Sequence, residues 1–120
     1  MVNTYIVDKD GNQADASTVT VPANRDFRGA WVLNGAVISE DMDSAREIFK
    51  DKVREARKPL LEAKDVELMK ALETSADTTA IAAAKTALRD APANAAIASA
   101  STITELKAAW DTSVLGASPY

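Results

Sequence analysis

Apolar and polar positions follow two different rhythms along these 120 residues, and the change falls near residue 41. Before it, Tyr5-Ile6-Val7 and Thr18-Val19-Thr20-Val21 are short runs of β-branched and aromatic residues bounded by turn formers, the pattern of strands. Asp8-Lys9-Asp10-Gly11-Asn12 follows the first run with residues that tolerate positive φ, and Pro22 ends the second by removing an amide donor. Trp31-Val32-Leu33 and Ala36-Val37-Ile38 flank Asn34-Gly35, a pair suited to a type I′ hairpin turn. A two-residue turn there sets Leu33 opposite Ala36 and Trp31 opposite Ile38, giving an apolar face that can dock on a helix.

Past residue 41 the apolar spacing becomes three or four, through Met42, Ala45, Phe49, Val53, Ala56, Leu60, Ala63, Val66 and Met69, which predicts a long amphipathic helix. Glu40, Asp41, Asp43 and Glu47 crowd its start, where they complement the helix dipole, and Asp41 or Asp43 can cap the free amides. Pro59 breaks the rule by removing the hydrogen bond to the Glu55 carbonyl. It predicts a kink near Lys58 or a division into helices of about 16 and 14 residues, and the unbroken stripe favours the kink. The run ends near Thr74.

A second helix is expected from Asp77 or Thr78 through Ile81, Ala84 and Leu88 to about Arg89, with Pro92 forcing a stop. The short link makes the two helices an antiparallel hairpin. Between residues 76 and 100 nearly every second residue is alanine, and the large apolar side chains are Ile81, Leu88 and Ile97. Alanine allows close backbone approach but buries little area, at about 25 cal/mol per Å². Residues 92–100 can add a short helical turn, and Thr102-Ile103-Thr104-Glu105 has the form of a capping box opening a last helix with Ile103, Leu106 and Trp110 on one side.

The expected fold class is α+β: a small N-terminal β-hairpin segment, an antiparallel α-helical hairpin and a short C-terminal helix. Residues 1–40 form a β/turn docking segment, 41–111 the helical hairpin and short C-terminal helix, and 112–120 a flexible or partner-bound tail. The length suits one modest domain, or two subdomains that share contacts.

Composition then narrows the function. The chain holds no His and no Cys, which removes most nucleophilic and metal chemistry, so it is not expected to be an enzyme or to carry a cofactor or metal. Ser99 and Ser101 have no lysine near them in sequence, the spacing of Ser44 to Lys50 does not match a helix face, and all four glycines are isolated, so no phosphate loop is present. A formal charge of −4 argues against nucleic acid as a partner, because such binding relies on clustered Lys and Arg. No segment approaches the roughly 18 apolar residues of a membrane span, and residues 1–5 lack the basic start and apolar run of a signal peptide. The absence of cysteine fits folding in a reducing cytoplasm.

Asp8-Lys9-Asp10-Gly11-Asn12 matches the opening of a calcium-binding EF-hand loop, but Gln13 stands where glycine is needed and Val19 where a bidentate glutamate is needed, so a β-turn is expected. Glu47, Asp51 and Glu55 lie four apart with Lys50, Arg54 and Lys58 interleaved, the pattern of a solvated ion-pair face. Arg54, Arg57 and Lys58 read either as cations ahead of a helix break or as a dock for an acidic partner. Phe27 and Trp31 lie four apart beside Arg25 and Arg28. They either anchor the β segment to the long helix or present a Trp/Arg contact surface, and Trp110 either closes the helical hairpin or faces another chain. Phe27, Arg28, Trp31 and Trp110 are therefore the candidate partner-binding residues.

Val21-Pro22-Ala23-Asn24-Arg25-Asp26-Phe27-Arg28-Gly29-Ala30-Trp31, Asp41-Met42 with Ala45-Arg46-Glu47-Ile48, Lys85-Thr86-Ala87-Leu88-Arg89-Asp90-Ala91-Pro92-Ala93, and Leu106-Lys107-Ala108-Ala109-Trp110 together resemble a group of small tailed-bacteriophage proteins associated with tail-fibre genes. The opening Tyr5-Ile6-Val7-Asp8-Lys9-Asp10-Gly11-Asn12 is similar to the start of many fibre-assembly proteins. The resemblance implies a phage-tail context and no catalytic residue. It leads to the expectation of a tail-fibre-associated assembly chaperone or cap that covers apolar surface on a trimeric fibre protein, in the virion tail or in the host cytoplasm during assembly. The alternative is a permanent structural subunit of the virion, in tail fibre, baseplate or capsid.

Overall fold

The computed structural model describes residues 5–22 and 25–120; residues 1–4, and with them most of the signal-peptide reading, and Ala23 and Asn24 of the phage-like motif lie outside the described residues. Strands β1 (Tyr5–Val7) and β2 (Gln13–Asp15) form one antiparallel hairpin, and β3 (Trp31–Asn34) and β4 (Val37–Glu40) a second. Helix α1 (Met42–Glu73) runs back alongside α2 (Thr79–Asp90), and three short helices follow: α3 (Ala95–Ser99), α4 (Ile103–Ala108) and α5 (Thr112–Leu115). The α+β class expected from the sequence is the one observed.

Two strand expectations are corrected. Residues 18–21 do not form a strand: the Asp15 carboxylate takes the Ser17 amide at 3.0 Å and hydroxyl at 2.8 Å, and Thr18 N–H donates to Asp15 O, so this stretch is spent on a turn. Thr20 alone reaches β4, in a parallel bridge to Val37. In the second hairpin Trp31 pairs with Glu40 and Leu33 with Ile38, two residues from the expected register. Positive φ falls on Gly35 (64°) and not on Ala36, the requirement of a turn with Gly at its first central position, and Asn34 is left in the strand. A shift of two preserves the faces, so Trp31, Leu33 and Ile38 still share one side.

Helix α1 is a single element of 32 residues, about 48 Å long at 1.5 Å per residue, and continues through Pro59 without dividing. Asp41 caps its start through the Ser44 amide (3.2 Å) and hydroxyl (2.6 Å). Its end is a Schellman motif: Ser75, at φ 56°, donates to Leu72 O, and Ala76 N–H donates to Ala71 O at 2.8 Å. Asp77 Oδ1 then accepts the Thr79 amide and hydroxyl at the start of α2. In α4, Thr102 accepts the Glu105 amide while Glu105 reaches back to Ser101 N–H at 2.8 Å, so the expected capping box forms with its return bond one residue earlier.

The core gathers where the near half of α1 meets everything else. Phe27, Ala30, Ala45, Phe49, Val53, Leu88, Ile97, Leu106, Trp110 and Leu115 are buried together. Gly29 lets the turn before β3 lie against α1: a methyl group there would sit 3.2 Å from Ile48 Cδ1. Four of the six aromatic residues form one cluster, with Tyr120 stacked on Phe27 (ring centroids 5.3 Å) and Phe49 (5.9 Å) and edge-on to Trp110 (6.5 Å). Of residues 112–120, read from the sequence as a flexible or partner-bound tail, α5 and Tyr120 fold back onto the core. Asp111 caps α5, and Trp110 Nε1 donates to Gly116 O at 3.1 Å.

The chain is elongated, 68 × 31 × 21 Å, with a radius of gyration of 19.4 Å against about 14 Å for a compact chain of this length. The excess comes from the far half of the α1/α2 hairpin, which projects beyond the core as an arm. No helix among the described residues is long and apolar enough to cross a membrane.

Candidate functional site

The arm begins near Leu60. Nearer the core, Ala45, Phe49 and Val53 are buried, but along the same helix Val66 is 52% exposed, Met69 62% and Leu72 64%. These three lie at intervals of three, so they share one flank of α1 while Leu68 and Ala71 turn toward α2. Helix α2 offers the arm Ile81 and a series of alanines, enough to cover one side of α1 and not two. An ion pair between Lys85 and Asp65, and Arg57 Nη1 donating to Arg89 O at 2.8 Å, hold the two helices antiparallel. Arg57 is thereby placed on the negative end of α2, a favourable position for a cation. The exposed apolar flank is a candidate contact surface of the kind that marks interaction sites when it is contiguous.

The sequence-derived contact residues take other places. Phe27 is fully buried, Trp31 2% exposed and Trp110 7% exposed, so as folded none of the three is offered to a partner. Arg28 alone of the four is exposed. Trp31 is buried outside the main apolar cluster with Arg25 stacked 5.7 Å from its ring, and among the described residues its Nε1 and Glu40 Oε2 are buried without a hydrogen-bond partner. Burial pushes the Glu40 carboxyl up from its ordinary value, against the pull of the nearby Lys107 cation. Lys107 itself pairs with Asp26 at 2.7 Å and sits 5.5 Å from the Tyr120 ring, tying the segment before β3 to α4 and to the tail.

The calcium-like segment is a turn with a structural task. One oxygen of Asp8 accepts from Asp10 N–H (3.0 Å) and Asn12 N–H (2.8 Å), and the other accepts from Asn12 Nδ2 (3.2 Å) and from Leu33 N–H (2.9 Å). The carboxylate therefore joins the first hairpin to the edge of β3, helped by Lys9 N–H donating to Trp31 O at 2.9 Å. The Leu33 bond leads in holding the carboxyl down at about 2. The acidic face of α1 is an ion-pair surface: Glu47 pairs with Lys50, Asp51 with Arg54 and Glu55 with Lys52. No group of three or more metal-binding side chains occurs among the described residues. The hydroxyls of Ser44, Ser99 and Ser101 bond to Asp41, Ala96 O and Glu105, each a local capping or turn contact.

The sequence pattern placed Val66 and Met69 on the buried stripe and left Leu72 and Tyr120 unmarked. The signal for the first was the run of steps of three from Leu60 through Ala63, Val66 and Met69, each of which turns about 60° back around the helix and carries the later residues off the face of Phe49 and Val53. The signal for Tyr120 was its isolation, the one aromatic residue after Trp110.

No family model, curated protein or solved structure matches this chain.

Proposed function

We propose that this protein is a non-catalytic binding protein of a tailed bacteriophage, a tail-fibre-associated assembly chaperone or cap whose helical arm contacts the fibre protein. The observation that carries the reading is the projecting arm with Val66, Met69 and Leu72 exposed along one flank. A helical pair that extends past its own core leaves apolar area to be covered by another chain, and burying it there contributes affinity at about 25 cal/mol per Å², before association costs. The phage context rests on the resemblance of residues 21–110, and the absence of His and Cys supports a binding role over catalysis. The acidic balance supports a protein partner over nucleic acid.

The test is capture of the fibre protein from the same phage on co-expression, comparing the natural chain with a Val66→Ser, Met69→Ser, Leu72→Ser variant. All three side chains are exposed, so the variant should retain its melting temperature and lose at least tenfold in capture. Equal capture would remove the arm from the interface, and no capture by either chain would remove the fibre protein as partner. Mass spectrometry of purified virions then separates the two roles: presence at fibre stoichiometry fits a cap or permanent subunit, absence a transient chaperone.

A further inference from the structure

We infer that residues 116–120 form a releasable strap, with the Tyr120 ring as a plug that leaves its seat while the rest of the fold stays intact. Residues 116–119 are exposed and carry no regular structure. Beyond Gly116 the backbone of this segment is held by a local bond, Tyr120 N–H to Ser118 Oγ at 3.2 Å, so the ring supplies the main attachment. Gly116 adopts φ 82° and ψ −156°, a conformation open to glycine, and it is fixed on its near side by Trp110 Nε1 and by its own N–H donating to Thr112 O. That places a hinge between an anchored and an unanchored stretch.

The seat is apolar and imperfect for a phenol. Phe27, Phe49 and Trp110 pack against the half-buried ring, yet its hydroxyl is buried with no hydrogen-bond partner among the described residues. A buried unsatisfied hydroxyl opposes seating, while the ring contacts favour it. Burial first, with the Asp26 and Glu55 charges, pushes the phenol up to about 12, so it stays neutral in its seat. The strap also leaves a space of about 320 Å³ beside it, lined by Lys52, Glu55, Ala56, Trp110, Ala117 and Pro119, so water can follow the ring as it leaves. Opening uncovers Phe27, Phe49 and Trp110, the last of which keeps its position between α4 and α5 through core contacts.

The experiment uses the full chain with Tyr5→Phe, which leaves Tyr120 as the one tyrosine. Nitration of Tyr120 is followed across sub-denaturing urea, beside amide exchange of the α1 core around Phe49 and Val53. A releasable strap gives a nitration rate at least tenfold above that allowed by core opening, with almost no urea dependence. A rate that matches core opening in size and in urea slope overturns the inference, because Tyr120 then leaves only when the fold does. Tyr120→Phe supplies the second measurement: removal of the unpartnered hydroxyl should raise the melting temperature, and a fall would show that the hydroxyl is satisfied and the seat built for it.

Discussion

Helix α1 has two halves of similar length, but apolar steps of three and four are mixed along the near half while the far half repeats steps of three from Leu60 to Leu72. Around the near half, the turn before β3, α4, α5 and Tyr120 converge, so Phe49 and Val53 are sealed from water. Along the far half α2 covers the side of Leu68 and Ala71, while Val66, Met69 and Leu72, reached by steps of three that each turn about 60° back around the helix, lie off the face of Phe49 and Val53 and remain exposed. The difference teaches that apolar residues three apart need not stay on one face: mixed steps of three and four hold a stripe, while repeated steps of three walk it around the helix. Burial is set by the number and bulk of neighbours, and alanine-rich α2 brings little bulk.

The largest test of this contrast is Phe49→Ala, which removes a ring that touches Trp110 and Tyr120. It should cost about 3–5 kcal/mol in a urea titration, the usual loss for a large aromatic side chain in a packed core. A loss no greater than that of an arm substitution would dissolve the distinction between the halves. Next comes Pro59→Ala, at the boundary. Pro59 is exposed and withholds an amide from an otherwise continuous helix, so alanine should stabilise α1 by up to about 3 kcal/mol. Hydrogen exchange should show the gain concentrated between residues 55 and 65; no gain would mean that the fold uses the proline.

The smallest effect is the pH response of the near end. The folded-state Asp8 carboxyl is held down to about 2, below its value in the unfolded chain, so its contribution is present above the unfolded value and is lost as pH falls through the folded one. Acidification from about pH 4 toward 2 should therefore loosen the two hairpins before the α1/α2 arm, as amide signals of Asn12 and Leu33 would report. Glu40 works in the opposite sense: its raised carboxyl favours the fold when protonated, and that contribution fades as pH rises through its folded value. In Asp8→Asn the acid loosening should be largely absent, and an unchanged acid response would place the pH dependence elsewhere.

Much of the architecture was legible because it depends on local chemistry. Asp41 as cap, the end of α1 at Thr74, the start of α2 beside Thr78 and the stop before Pro92 all follow from side chains acting within a turn of themselves. The β segment was less legible, since pairing register depends on which residue takes positive φ and on competition from the Asp15 turn. The contact surface was the least legible: Phe27, Trp31 and Trp110 are chemically suited to an interface and equally suited to a core, and a linear pattern does not separate the two.

The amino-acid order by itself determined where helices start and stop, which faces are apolar, and that His and Cys chemistry is absent, because each of these is a property of one residue or of near neighbours. Tertiary structure alone decided that Tyr120 joins Phe27 and Phe49, that Asp8 binds the Leu33 amide, and that one half of α1 is sealed from several sides while the other is covered mainly by α2. Those outcomes depend on groups distant in sequence competing for the same space, and that competition is resolved only when the chain is folded.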